Sequence, residues 1–267
     1  MLVPEQATYV IASCDLFSDL WENHLHFLRL HFPEMERIVI VTDTNEKNRS
    51  FPGVSIREFG KETPYSERLA KAMTGIETDY VLFTLDDYFL KKRVIIEKLE
   101  EDFSFVEENA DYMRLFLQPK PKRKDRQGSF YSLDYNRNYS VNLYPGIWRK
   151  EVLRSVCEGT PRTPWELEVS LNRRFQKNGF KGVASLGEEF PIMDMVRKGK
   201  YLRKAYRWLK KQGRLPADNQ RKKQTIRYEF ALNLRTFISR HFPKPFVNWL
   251  KKVFRYRAYS DYREEEA

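Results

Sequence analysis

Four short runs rich in β-forming residues crowd into the first 85 positions: ATYVIAS (7–13), RIVIVTD (37–43), VSIREF (54–59) and DYVLFTL (79–85). LFSDLWENHLHFLRLHF (16–32) separates the first pair. It sets Leu16, Leu20, Trp21, Leu25, Leu28 and Phe32 near helical spacing and is stopped by Pro33. PYSERLAKAMTGI (64–76) separates the last pair and carries Pro64 in its first turn. RIVIVTD and DYVLFTL are too apolar for strands with a wet face and read as strands covered on both sides, while ATYVIAS and VSIREF read as further short strands. Short buried strands alternating with helices close into a mostly parallel sheet between two helical layers, a three-layer α/β (Rossmann-like) fold.

Beyond the fourth strand, VIIEKLEEDFSFVEE (94–108) reads as helix and YMRLFL (112–117) as strand. QPKPKRKDRQGS (118–129) is a polar, basic loop long enough to serve as a lid. FYSLDYNRNYSVNLY (130–144) alternates as a hairpin would, and WRKEVLRSVC (148–157) and PWELEVSLNRRFQKN (164–178) read as helices. The boundary falls near residue 200. Residues 1–200 form one sheet domain and 201–267 a helical extension.

Charge follows the same division. Between Arg197 and Arg263 stand 21 Lys and Arg against three Asp and Glu, whereas residues 1–196 hold 27 basic and 31 acidic side chains. So local an excess calls for a polyanion, either an anionic membrane surface or a nucleic acid. HFPKPFVNWLKKVFRYRAY interleaves aromatics with cations as an interfacial helix does. No nucleic-acid motif accompanies the basic quarter and the rest of the chain is acidic, which weighs against a nucleic-acid partner. Cys14 and Cys157 make neither a disulfide framework nor a zinc spacing, so a reducing compartment is expected. The start MLVPEQATYV lacks the pattern of a secretory signal, and no run approaches the length of a membrane span.

Ligands of open α/β sheets bind beyond the carboxyl ends of the strands. Three polar clusters fall there: Ser13-Cys14-Asp15, Thr42-Asp43-Thr44 and Asp86-Asp87. Asp43 serves equally as a turn former, and Asp15 as a cap for the helix that follows. The adjacent pair Asp86-Asp87 is costly at the rim of a core unless a positive charge meets it. A Mg²⁺ or Mn²⁺ ion accepts one or two carboxylates and fills its shell with phosphate oxygens and water. A paired acidic turn is the alternative.

The series ASCD, VTDT, PYSERLAKAMTGIETDYVLFTLDDYFL, YPGIWRKEVL, PWELE and VRKGKYLRKA resembles bacterial nucleotide-sugar glycosyltransferases of the GT-A fold, the capsule and lipopolysaccharide type, over about residues 7–205. The resemblance implies that Asp87, with Asp86, holds a divalent cation and the donor diphosphate, although Tyr88 stands where the usual Asp-x-Asp has its second acid. It implies Ser13, Asp15 and Asp43 near base and ribose, and Ser66 and Arg68 near the donor. Arg68 has a surface ion pair with Glu67 or Asp79 as its other reading. Glu166 closes a capping box with Thr163, whereas Glu168, three residues from Trp165, would share the face of a buried aromatic and act as the base of an inverting transfer, with Glu166 as the reserve base. Gly199-Lys200 matches the family's returning basic loop, with Lys200 on the leaving diphosphate. The implied partners are a nucleotide-diphosphate sugar, UDP favoured, and a glycan or lipid-linked acceptor at the inner face of the plasma membrane. A basic nucleic-acid-binding protein and a GT-A-like domain without catalysis are the competing readings.

Overall fold

The computed structural model describes residues 3–115, 128–137, 139–159, 162–216, 221–241 and 249. Most of the basic loop at 118–129, and the aromatic-basic segment after 241 apart from Trp249, lie outside these described residues. The chain divides into two compact units, Met1–Met193 and Asp194–Ala267.

The first unit is built on an eight-stranded mixed, mostly parallel sheet in the order β3-β2-β1-β4-β8-β6-β9-β7. A short helix α1 (Val3–Gln6) leads into β1 (Ala7–Ala12), which pairs in parallel with β2 (Ile38–Thr42) and with β4 (Tyr80–Leu85), and β3 (Val54–Glu58) extends β2. β8 (Gly146–Arg149) runs antiparallel between β4 and β6 (Tyr112–Arg114), β9 (Gly182–Ser185) lies parallel to β6, and β7 (Phe130–Ser132) closes the edge. Every residue of β1 and β2 is buried, as continuous apolar runs require. Residue parity sorts the two cores. Tyr9, Ile11, Ile38, Ile40 and Leu82 face α2 (Trp21–His31) and α4 (Ile96–Asn109), while Val10, Ala12, Val39, Val41, Val81 and Phe83 face α3 (Tyr65–Thr74), α5 (Lys150–Cys157) and α6 (Pro164–Asn178). The expected three-layer α/β class is therefore the observed one.

Three local expectations are corrected. The 16–32 helix begins as a 3-10 turn over Asp15–Leu20 before α2. Trp148 belongs to strand β8 and is fully buried, because its indole stacks on Tyr112 at 4.0 Å and packs on Phe175 at 5.7 Å. No hairpin forms over 130–144. β7 pairs with β9 instead, and α6 claims the rest: the Val141 N–H donates to Asn172 Oδ1 (2.9 Å), Leu143 N–H to Glu168 Oε1 (3.2 Å), and Asn172 Nδ2 to the Tyr135 carbonyl (3.1 Å). Helix side chains satisfy the backbone groups that a second hairpin strand would have paired.

A short strand β5 (Tyr88–Leu90) forms a ribbon with β10 (Ile192–Asp194). The second unit continues with a hairpin of β11 (Val196–Arg197) and β12 (Lys200–Tyr201), then α7 (Arg203–Lys211) and α8 (Ile226–His241). Lys198 and Gly199, at φ 50° and 70°, make the two-residue turn between its strands, where both central positions need positive φ. Gly199 is thus fixed by turn geometry.

Two packing constraints give predictions. A Cβ on Gly146 would lie 2.7 Å from the Met113 carbonyl and 2.8 Å from the Tyr112 ring, so Gly146→Ala should lower the urea midpoint by about 1–3 kcal/mol of stability. On α4, Asp102 is buried beside buried Glu189; burial pushes its carboxyl up to about 9, and the neighbouring Glu189 adds to the rise. The folded state therefore holds a proton that the unfolded chain releases near 3.8. This contribution is full below that value and is lost as pH rises toward about 9. Asp102→Asn should flatten the fall in urea midpoint between pH 5 and pH 9.

Candidate functional site

The carboxyl ends of β1, β2 and β4 lie side by side, and their turns are stitched together by carboxylates. Asp43 Oδ1 accepts the backbone N–H of Asp15 (2.7 Å) and of Thr44 (2.8 Å), and Asp15 Oδ1 accepts the Glu46 N–H (3.0 Å). Asp15 therefore caps the loop after β2, not the helix that follows it, whose capping position Cys14 makes no side-chain bond. Against Asp43 burial works upward, but these N–H donors and the Arg68 guanidinium outweigh it and hold the carboxyl below its usual range.

Arg68 is buried and pairs with Asp43 (Nη1 to Oδ2, 3.5 Å), so the surface pair with Glu67 or Asp79 does not form; Glu67 instead meets Lys71 one turn on. The Arg68 guanidinium also lies 5.8 Å from the Tyr65 ring centroid. Ser66 is fully buried and clamps the entry to α6, accepting the Arg162 N–H at 3.0 Å.

Asp86 and Asp87 occupy the tight turn between β4 and β5. Asp86 is buried and held at both ends. Its Oδ2 accepts the Ser13 hydroxyl at 2.5 Å, and Ser13 Oγ in turn accepts the Trp21 indole N–H at 2.7 Å. Its carbonyl oxygen meets His24 Nδ1 at 3.1 Å. Because a carbonyl only accepts, Nδ1 carries the proton, and Nε2 accepts from the Tyr9 hydroxyl at 3.2 Å. Burial lowers His24 to about 4, so the ring stays neutral and serves as a wedge. The carboxylate of Asp86 thus points back onto the end of β1, and Asp87, half-exposed, is the next residue outward.

Glu168 projects from the first turns of α6. The expected capping box is present: Thr163 Oγ1 accepts the Glu166 N–H and Glu166 Oε2 accepts the Thr163 N–H at 2.8 Å, which commits Glu166 to the helix start. Trp165 is 64% exposed, so no buried aromatic carries Glu168 inward. The carboxylate is instead oriented by the Leu143 N–H, and its charge acts on Tyr65, Tyr112 and Arg114.

Tyr65 joins the two acidic centres. Burial raises its hydroxyl far above the usual range, and among the charges that act on it are Asp86, Arg68 and Glu168. That hydroxyl makes no hydrogen bond among the described residues. Tyr65 and Arg114 were missed by sequence reasoning, and Cys14 was named only as part of the polar turn after β1. Arg114, buried at the end of β6, donates to the Tyr139 carbonyl at 3.3 Å, and an arginine inside the apolar run YMRLFL was the available signal. Lys200 lies in the second unit, exposed on the β11–β12 hairpin.

Among the described residues no group of three or more His, Cys, Asp and Glu comes together as a metal site. The turn offers the partly exposed Asp87 next to the buried Asp86, whose carboxylate is turned onto Ser13. That donor set suits a hard cation which keeps its waters and its phosphate oxygens, not a closed zinc site.

No family model matches this chain, and no curated protein matches it. Among solved structures it is similar to residues 1–349 of TarS from S. aureus in complex with UDP-GlcNAc, at 16% identity and a TM-score of 0.47, over 73% of this chain and 60% of that one. A cytidylyltransferase from Leptospira borgpetersenii is similar at 14% identity and a TM-score of 0.45, over 83% and 98%. A CMP:2-keto-3-deoxy-manno-octonic acid synthetase in complex with CTP is similar at 12% identity and 0.41, over 67% and 88%. The chain thus spans about 60% of the TarS segment it matches.

The thiols give a direct reading of this rim. Burial, then the charges of Asp86 and Asp43, push Cys14 up to about 11, while fully buried Cys157 is pushed up to about 12. Iodoacetamide at pH 8 should label Cys14 slowly and leave Cys157 unlabelled in the folded protein. Asp43→Asn should speed Cys14 labelling by removing one of the two raising charges, as read by peptide mass spectrometry.

Proposed function

We propose that the first unit is a glycosyltransferase that moves a sugar from a nucleotide diphosphate, UDP favoured, to the hydroxyl of a growing bacterial surface glycan. One observation carries this reading: Asp86 and Asp87 stand at the carboxyl ends of the central parallel strands, and the start of α6, which bears Glu168, is tied to the start of α3 at that same end by the two hydrogen bonds between Ser66 and Arg162. A diphosphate side and a carboxylate suited to proton removal thereby share one rim. The fold's ligand-binding edge is the same one.

In this reading Asp43, Asp15 and the Ser13–Cys14 turn border the nucleoside, with Arg68 holding Asp43 in place. Asp87, with Asp86 behind it, holds the diphosphate through a Mg²⁺ or Mn²⁺ ion, which when bound neutralises the charge gathering on the departing phosphate. Glu168, aimed by the Leu143 N–H, takes the proton of the acceptor hydroxyl as that oxygen bonds to the anomeric carbon. The bond from that carbon to the diphosphate oxygen breaks, and the nucleoside diphosphate leaves with the electron pair. Attack on the face opposite the leaving group inverts the anomeric configuration. A lipid-linked acceptor at the cytoplasmic face of the membrane completes the proposal.

Nucleotidyl transfer is the other chemistry open to such a sheet. A triphosphate needs a glycine-rich, cationic turn whose N–H groups cradle it, and the turn after β1 reads SCDLFSD, without glycine, lysine or arginine.

Asp87→Ala should abolish release of nucleoside diphosphate from a nucleotide sugar while leaving the urea midpoint within about 0.5 kcal/mol of wild type. Glu168→Gln should retain donor binding and lose transfer about 100-fold or more. A bound nucleotide sugar should protect Cys14 from alkylation. Full turnover in both variants would end the proposal.

A further inference from the structure

The second unit presents a surface that the transfer reaction does not use. On α8, Ile226, Phe230, Leu234 and Phe237 follow one another at steps of four, four and three residues, which places them on a single helical face. All four are exposed, Ile226 and Phe230 at 66%, Leu234 at 46% and Phe237 at 53%. A continuous apolar stripe of this length on a water-soluble surface marks an interaction site.

The setting of the stripe selects the partner. Residues 221–241 hold six Lys and Arg and a single acid, Glu229. That acid is already engaged, since its Oε1 accepts the Arg203 N–H at 2.5 Å and thereby caps α7. Exposed Lys222, Lys223 and Arg227 stand at the start of the helix, and Lys204, Arg207, Lys210 and Lys211 are exposed on α7. A second copy of this chain would bring the same positive excess against itself. A nucleic acid would match the charge but offer nothing to Ile226 and Leu234. A bilayer with anionic headgroups satisfies both features, with acyl chains for the stripe and phosphates for the cations.

We propose that α8 docks the second unit onto an anionic lipid bilayer, lying in the plane of the interface with Ile226, Phe230, Leu234 and Phe237 toward the acyl chains. Sixteen residues span roughly 24 Å, too short and too charged to cross, and no helix among the described residues is long and apolar enough to do so. The docking rests on the membrane element of the proposed function and is independent of sugar transfer itself.

The test is co-sedimentation of the full chain with sucrose-loaded vesicles of phosphatidylcholine alone, or of phosphatidylcholine mixed equally with phosphatidylglycerol. Binding is expected to the mixed vesicles and to weaken as salt is added. F230E/L234E and the uncharged F230S/L234S should each lower the partition coefficient about tenfold or more, with unchanged circular dichroism. Equal binding of F230S/L234S and wild type overturns the proposal, because the cations alone would then account for it. So does equal binding to both vesicle types, retention on a single-stranded oligonucleotide without retention on vesicles, or a concentration-dependent dimer that F230S/L234S dissolves. Release of nucleoside diphosphate from a soluble nucleotide sugar, followed in the same preparations, reports on the first unit alone, so loss of docking and loss of transfer are read separately.

Discussion

The first unit turns on how a carboxylate is kept at the edge of a dry core. Asp86 is buried at the end of β4, where an unpaired charge would cost several kcal/mol. Its oxygen takes the Ser13 hydroxyl, that hydroxyl is fixed by the Trp21 indole, and neutral His24 holds its carbonyl. Intramolecular hydrogen bonds of this kind contribute about 0.5–1.5 kcal/mol each. Three elements, β1, α2 and the β4–β5 turn, are locked together around one buried residue. Asp87 is the next residue in the same turn.

A second organising element is α6. Its capping box sets where the helix begins, and that register decides which side chains meet the segment 133–143. Glu168 and Asn172, four residues apart on one face, take the N–H groups of Leu143 and Val141. The result is an irregular strap of backbone held by a helix where alternation suggested a hairpin. It also turns the Glu168 carboxylate toward the rim that holds Tyr65 and Arg114. The same contact shapes the fold and aims the residue to which proton removal is assigned.

Much of this was legible residue by residue. Continuous apolar runs announced buried strands. Thr163, Pro164 and Glu166 spelled out a helix start that the structure contains, and Asp43 was readable as a turn former. The failures share a cause. Trp165 was expected inside because aromatics usually are, yet the capping geometry turns it outward. Trp148 was read in a helix because apolar and polar residues alternate at both spacings there, and only the partner strands β4 and β6 settle it as strand. Arg68 was placed near the donor, with a pair to Glu67 or Asp79 as its other reading, and in the folded chain it meets Asp43, 25 positions away.

By itself the sequence determined the layered α/β class, the rim on which polar residues gather, the capping of α6 and the segregation of positive charge into the last quarter. These depend on local periodicity and on composition, which any short window displays. Tertiary structure decided that Asp86 faces inward onto Ser13, that Arg68 finds Asp43, that Glu168 is oriented by Leu143, and that Ile226, Phe230 and Leu234 of α8 stay exposed. Each of those is a contact, or the lack of one, between segments far apart along the chain. Their energies come from burial and from hydrogen bonds that exist only once the sheet has brought its strand ends together.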